Sequence, residues 1–222
     1  MHPYVDIHTH NTTEATGVYA IVNVFANSLI TNSVNHRISA GLHPWHINDK
    51  HPDFLKNLEA ATSQPQLVAI GEAGIDKTLQ ISYDLQKEVF LQQAHIAAKK
   101  KLPMIIHAVR TYYDFISLRK QFQTAPPWII HGFNGNIQQA EALIKSGFFL
   151  SFGEAIIRKE QLKTTLKKLP LKHLFFETDN EAIPIEEIYK VASTTREEPL
   201  EVLKAEIFSN FAALFSINTN DN

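Results

Sequence analysis

The chain has 222 residues, 44% of them hydrophobic and 20% charged, with a formal charge of −2 and no cysteine. That length suits one large domain with a filled core; the missing thiols exclude a disulfide framework, and no apolar run reaches the roughly 18 residues of a membrane span. The small negative charge excludes a general attraction to polyanions, so nucleic acid would have to be held by a local basic patch or by bound metal ions.

Short β-rich apolar runs alternate with longer amphipathic segments, the pattern of βα units around a parallel sheet. The first strand, 4–8, carries Asp6-Ile7-His8-Thr9-His10. Alternation puts Asp6, His8 and His10 on one face, a carboxylate and two imidazoles that make half of a metal site. Strands at 18–25 and 37–42 follow, and only about a dozen residues, Ala26 to Arg37, lie between them, so the helix of that unit is very short or lost. A helix over 52–62 leads to a strand over 67–71. The helix over 83–101 repeats Leu85, Val89, Ala94 and Ala97 at helical spacing. Then come a strand at 103–107, a helix at 112–122, a strand at 128–131, and a helix at 136–146 that stops at Gly147 as a left-handed cap would. A strand at 148–152, a helix at 159–168, a strand at 173–177 and a helix at 198–215 complete the series. Eight strands predict a (β/α)8 TIM barrel with a reduced second unit. Residues 1–217 form its single domain and 218–222 a polar tail.

In this architecture the active site gathers at the carboxyl ends of the strands. The residues found there are His8 and His10, then Gly41-Leu42-His43-Pro44-Trp45-His46, Gly71-Glu72-Ala73-Gly74-Ile75-Asp76, His107 with Arg110, His131-Gly132-Phe133, and Glu177-Thr178-Asp179-Asn180. Each histidine alone could equally bond a backbone carbonyl at a strand end. Glu72 is harder to place so blandly, because it follows Leu67-Val68-Ala69-Ile70-Gly71, a run apolar enough for burial on both faces, and a buried carboxylate needs a cation. Asp179 follows Leu174-Phe175-Phe176 and invites the same argument, with a salt bridge to Arg110 or Arg158 as the competing explanation. Gly71 and Gly74 are expected to form the tight turn that carries the chain off the strand. Together His8, His10, Glu72, His107, His131 and Asp179 offer four imidazoles and two carboxylates, a set suited to zinc, manganese or magnesium. Six ligands exceed one catalytic ion's needs, so two divalent ions are expected. No cysteine nucleophile, Gly-x-Ser-x-Gly elbow or Gly-rich phosphate loop competes.

With these motifs in order, from Asp6 to about Phe215, the chain resembles the TatD family of metal-dependent deoxyribonucleases among the amidohydrolase-like TIM barrels. The resemblance rests on Asp-x-His-x-His at 6–10, Gly-x-His-Pro at 41–44, Gly-Glu-x-Gly-x-Asp at 71–76, His107, His131-x-Phe, Glu-Thr-Asp at 177–179, and Asn210-Phe211. It implies one metal held by His8, His10 and Asp179, a second by His107 and His131, and Glu72 bridging. It further implies that Asp179 takes a proton from the attacking water. His43 and Arg110 are expected to steady the scissile phosphate. The chain departs from the family where Asn180-Glu181-Ala182 replaces a small residue and proline, where Arg110 lies three residues after His107, and where Lys77 stands in an aromatic position. Glu181 would add negative charge beside the site.

Three functions follow, of two classes. The first is a TatD-like deoxyribonuclease or phosphodiesterase acting on DNA ends or small phosphodiesters. The second is a small-molecule amidase, lactonase or deaminase, weakened by the absence of a lysine ligand where Glu72 stands. The third is a metal-stabilised binding protein without turnover. The cytoplasm is the expected location, since no basic flank and apolar segment opens the chain and cysteine is absent. No protein partner is implied, and a monomer is expected.

Overall fold

The computed structural model describes residues 2–13, 15–25, 36–48 and 51–215. Its eight strands follow one another in sequence order within one sheet, with helices between them, the (β/α)8 class expected from the sequence. The strands are β1 (Tyr4–Thr9), β2 (Val18–Phe25), β3 (Arg37–Gly41), β4 (Leu67–Asp76), β5 (Met104–Val109), β6 (Trp128–Ile130), β7 (Phe148–Phe152) and β8 (Leu174–Phe176). The helices are α1 (His51–Ala61), α2 (Tyr83–Lys100), α3 (Tyr112–Arg119), α4 (Ile137–Lys145), α5 (Ala155–Arg158), α6 (Glu160–Lys168), α7 (Ile185–Arg196) and α8 (Leu200–Phe215). The expected shortening after β2 and the polar tail at 218–222 lie outside the described residues. Among the described residues no helix is long and apolar enough to cross a membrane. Contacts gather the chain into two compact units, Met1–Ala20 with His131–Asn222, and Ile21–Ile130.

In the unit Ile21–Ile130, β3, β4, β5 and β6 pair in parallel. Their apolar runs are buried as continuous hydrophobic strands must be when both faces are covered. α2 starts at Ser82, whose side chain accepts the Leu85 N–H, and packs Val89, Phe90, Ala94 and Ala97 inward. Two of its glutamines are also buried. Gln93 holds both backbone groups of Leu42, accepting from N–H at 2.7 Å and donating to the carbonyl at 3.2 Å. Gln86 does the same for Asp76, at 2.8 and 3.1 Å. The helix therefore fixes the segments that present His43 and Asp76.

β4 corrects the sequence expectation. It does not turn at Gly71 but continues to Asp76, so Glu72 stands inside a strand. Register with β5 slips between Ile70 and Ala73, as in a bulge, which re-aims the side chains of the bulged residues. Gly71 and Gly74 serve close approach rather than turning: a Cβ on Gly71 would overlap the Ile105 carbonyl oxygen, and one on Gly74 the His107 carbonyl oxygen. β5 likewise runs past His107 to Val109.

In the other unit β7 and β8 pair in parallel, and β1 is anchored by the buried Tyr189 of α7, whose hydroxyl accepts the Val5 N–H and donates to the Val5 carbonyl, both at 3.1 Å. α4 opens with a reciprocal cap between Asn136 and Gln139. Asn210 of α8 donates to the carbonyls of Leu171 and Leu174, so the Asn210-Phe211 motif secures the start of β8. α5 and α7 are additional to the helices expected from the sequence.

Candidate metal centre

The end of β1 and the segment after β8 are zipped together. The Asp179 N–H donates to the His8 carbonyl and the His10 N–H to the Asp179 carbonyl, each at 2.9 Å, around a parallel bridge between Thr9 and Asp179. This places Nε2 of His8 at 3.5 Å and Nε2 of His10 at 3.6 Å from the same Asp179 oxygen, Oδ1. Asp179 adopts φ 53°, a left-handed conformation that aspartate tolerates better than most side chains. His131, just beyond β6, joins them: donor atoms of His8, His131 and Asp179 lie within 4.8 Å of one another. The resemblance pairs His131 with His107; within its own unit it stands with His8 and Asp179.

Asp6 is not part of this group. Its carboxylate accepts the Thr178 N–H at 3.0 Å and the Thr178 hydroxyl at 2.6 Å, locking β1 to the residue before Asp179. Burial pushes its pKa up to about 7, against the Thr178 hydrogen bonds that favour the charged form. Glu177, to which the sequence reading gave no role, is fully buried. Its Oε1 accepts the Gly132 N–H at 2.6 Å and lies 3.3 Å from Nδ1 of His131, and among the described residues its Oε2 has no hydrogen-bond partner.

The second group lies in the unit Ile21–Ile130. The Glu72 N–H donates to the Asn23 side chain at 2.8 Å, and its Oε1 lies 2.7 Å from Nδ1 of His107 and 3.2 Å from Nε2 of His43. Nδ1 of His43 accepts the Trp45 backbone N–H at 3.1 Å, which turns Nε2 toward Glu72, and donor atoms of His43, Glu72 and His107 lie within 4.8 Å of one another. Nε2 of His107 lies 3.6 Å from Asp76 Oδ2. Asp76 also accepts from the Thr78 hydroxyl and N–H and from the Trp45 indole.

Donors bound tetrahedrally at about 2.0–2.1 Å from one ion are about 3.3 Å apart. The His8 and His10 distances to Asp179 approach that spacing, and the imidazole and carboxylate donors suit zinc, manganese or magnesium. The residues therefore fit a divalent ion. Cations around the site are differently disposed. Arg110 is exposed, with φ 58°. Lys77 is paired with Asp114 at 2.7 Å, and Arg158 with Glu154, which removes the salt bridge proposed for it with Asp179. Glu181 is exposed.

The family model described as TatD related DNase matches residues 10–216. The chain belongs to this family. An uncharacterized metal-dependent hydrolase of Escherichia coli, YjjV, is 28% identical over 196 residues, covering 80% of this chain and 75% of its own length. A protein of Cronobacter turicensis named as the 3'-5' ssDNA/RNA exonuclease TatD is 27% identical over 166 residues, covering 72% and 63%. The crystal structure of YjjV superposes with a TM-score of 0.82 over 97% of this chain and 98% of that one at 23% identity, and a TatD-family hydrolase of Entamoeba histolytica with 0.78 over 96% and 98% at 16%. These two show the shared TatD fold. As a TatD-family member the chain is a metal-dependent hydrolase, and its clustered His, Asp and Glu side chains fit metal binding.

Proposed function

We propose that this hydrolase cleaves phosphodiester bonds at single-stranded nucleic-acid ends or in small phosphodiesters, using two divalent ions. The convergence of His8 and His10 on one oxygen of Asp179 carries the reading. His8, His10, His131 and Asp179 would hold one ion, and Glu72 with His107 the other. When bound, such ions lower the pKa of water toward neutrality and stabilise charge developing on phosphate oxygens. Asp179, its carboxylate partly open to solvent, accepts the proton from water as the new bond to phosphorus forms and the ester P–O bond breaks. His43 and the exposed Arg110 steady the scissile phosphate.

Relatives named as single-strand exonucleases support the substrate class. So does the charge of −2, since tracking duplex DNA takes many Lys or Arg contacts and this chain has engaged Lys77 and Arg158 elsewhere. A cytoplasmic location accords with the absence of cysteine. The test is a panel of phosphodiester, carboxylic ester and amide substrates with and without added divalent ions. Cleavage of single strands and dinucleotides in preference to blunt duplex, over a salt series, is expected. Fast internal cutting of duplex with a steep salt slope, or metal-dependent turnover of the amide alone, refutes the reading.

A further inference from the structure

Trp45 is the most exposed large hydrophobic side chain among the described residues, at 62%, on the Pro44–His46 turn after β3. An exposed indole is normally free to move, and this one is not. Its Nε1–H donates to Asp76 Oδ2 at 3.3 Å, and its ring meets His43 edge-on with centroids 4.9 Å apart and His107 at 6.3 Å. Asp76 is itself fixed, by Thr78 on its carboxylate and Gln86 on its backbone. One edge of the ring is thus clamped while most of its surface stays open, directly beside His43, Glu72 and His107. A rigid aromatic surface is what a nucleobase needs for stacking, and it loses little entropy on binding.

We infer that Trp45 is a stacking platform for a base of the nucleotide strand whose phosphodiester is cleaved. The inference rests on the nuclease reading above and adds what the substrate must carry. Every base has a π face, so Trp45 selects for the presence of a base and not for its identity.

The chain has two tryptophans, and Trp128 is fully buried, so acrylamide quenching of intrinsic emission reports Trp45. The full chain is titrated with a short single-stranded oligothymidylate and with the same strand made abasic at its terminal nucleotides. The base-bearing strand is expected to shield Trp45 and to bind more tightly. Trp45→Ala should weaken its binding roughly 5- to 100-fold, with Trp45→Phe recovering part. The loss should appear in KM more than in kcat, and the preference for the base-bearing strand should shrink. Alanine keeps the backbone N–H that orients His43, so a loss in kcat alone would mark Trp45 as a positioning residue and overturn the inference. Equal binding of the two strands by wild type, or unchanged binding by Trp45→Ala, overturns it as well. A wild-type protein that neither binds nor cleaves any strand overturns the nuclease reading, and the inference falls with it. Cleavage without protection of Trp45 overturns the inference alone.

Discussion

Replacing Glu177 separates the holding of His131 from the binding of metal by His131. The carboxylate is 1% exposed and accepts the Gly132 N–H at 2.6 Å, a charged hydrogen bond of about 1.5–3 kcal/mol. Glu177→Ala removes it, strands the Gly132 N–H and leaves a cavity, while relieving the desolvation of a buried carboxylate. A net loss of about 2–3 kcal/mol in metal-free protein is expected, or about 4–12 °C in Tm for a chain of this size. Glu177→Gln keeps an acceptor for Gly132 and should cost about half as much. Both variants remove the negative charge 3.3 Å from Nδ1 of His131, and partners of that kind are worth roughly 10–100-fold in metal affinity. Zinc competition against a chromogenic chelator measures the affinity, and thermal melts of the metal-free variants measure the stability. Wild-type zinc affinity in Glu177→Ala would refute a role for Glu177 in presenting His131, whatever the melts show.

Asp179→Asn keeps an oxygen donor but takes no proton, so turnover should fall by about 10² or more while metal content holds; wild-type rates would remove Asp179 from proton transfer. Protein reconstituted with zinc or manganese should carry about two ions per chain, fewer in Glu72→Ala, as measured by elemental analysis; saturation at one ion that this substitution leaves unchanged defeats the two-ion assignment. Gly74→Ala would drive a Cβ into the His107 carbonyl oxygen and should destabilise by about 3 kcal/mol or more, or prevent folding, as followed by urea denaturation. Burial raises the Asp114 pKa but hydrogen bonds from Lys77 and Tyr83 outweigh it, leaving the pKa lowered. That stabilisation is therefore present above the ordinary carboxylate range and lost as pH falls through the lowered value. Lys77→Met should cost up to about 1 kcal/mol near neutral pH, with the difference vanishing in acid.

The residues most legible in the sequence were those at strand ends. His8, His10 and Asp179 follow apolar runs and meet within one unit, whereas His107 lies inside β5, which continues to Val109. Glu177 was hidden because its partner, the Gly132 N–H, is 45 residues away on another strand end. Gln86 and Gln93 look like the polar face of an amphipathic helix until the backbone groups of Leu42 and Asp76 need partners. The full length of β4 is not legible because glycine suggests a turn, whereas its use here is strand contact at the bulge, which appears only with the register of β5. α7 had a readable signal in Pro184, the acidic pair Glu186 and Glu187, and the spacing of Ile185, Ile188, Tyr189 and Ala192, all four buried.

The carboxylates divide by what holds their oxygens, and that division carries the chemistry. Asp6 has both oxygens on Thr178. Asp76 has Oδ1 on Thr78 and Oδ2 on the Trp45 indole. In each case a threonine hydroxyl and its own N–H close on one carboxylate, a local clasp that fixes backbone and occupies oxygens a metal would need. Asp179 and Glu72 are held differently, through their main chains: Asp179 by the exchange with His8 and His10, and Glu72 by its N–H on Asn23. Their side chains face imidazole nitrogens instead of hydroxyls. A sequence reading that counts every acid near a strand end treats Asp6 and Asp179 alike. The Thr178 hydroxyl on Asp6, where Asp179 has imidazoles, is what separates the two, and the imidazole side is the arrangement that the proposed metal binding and proton transfer require.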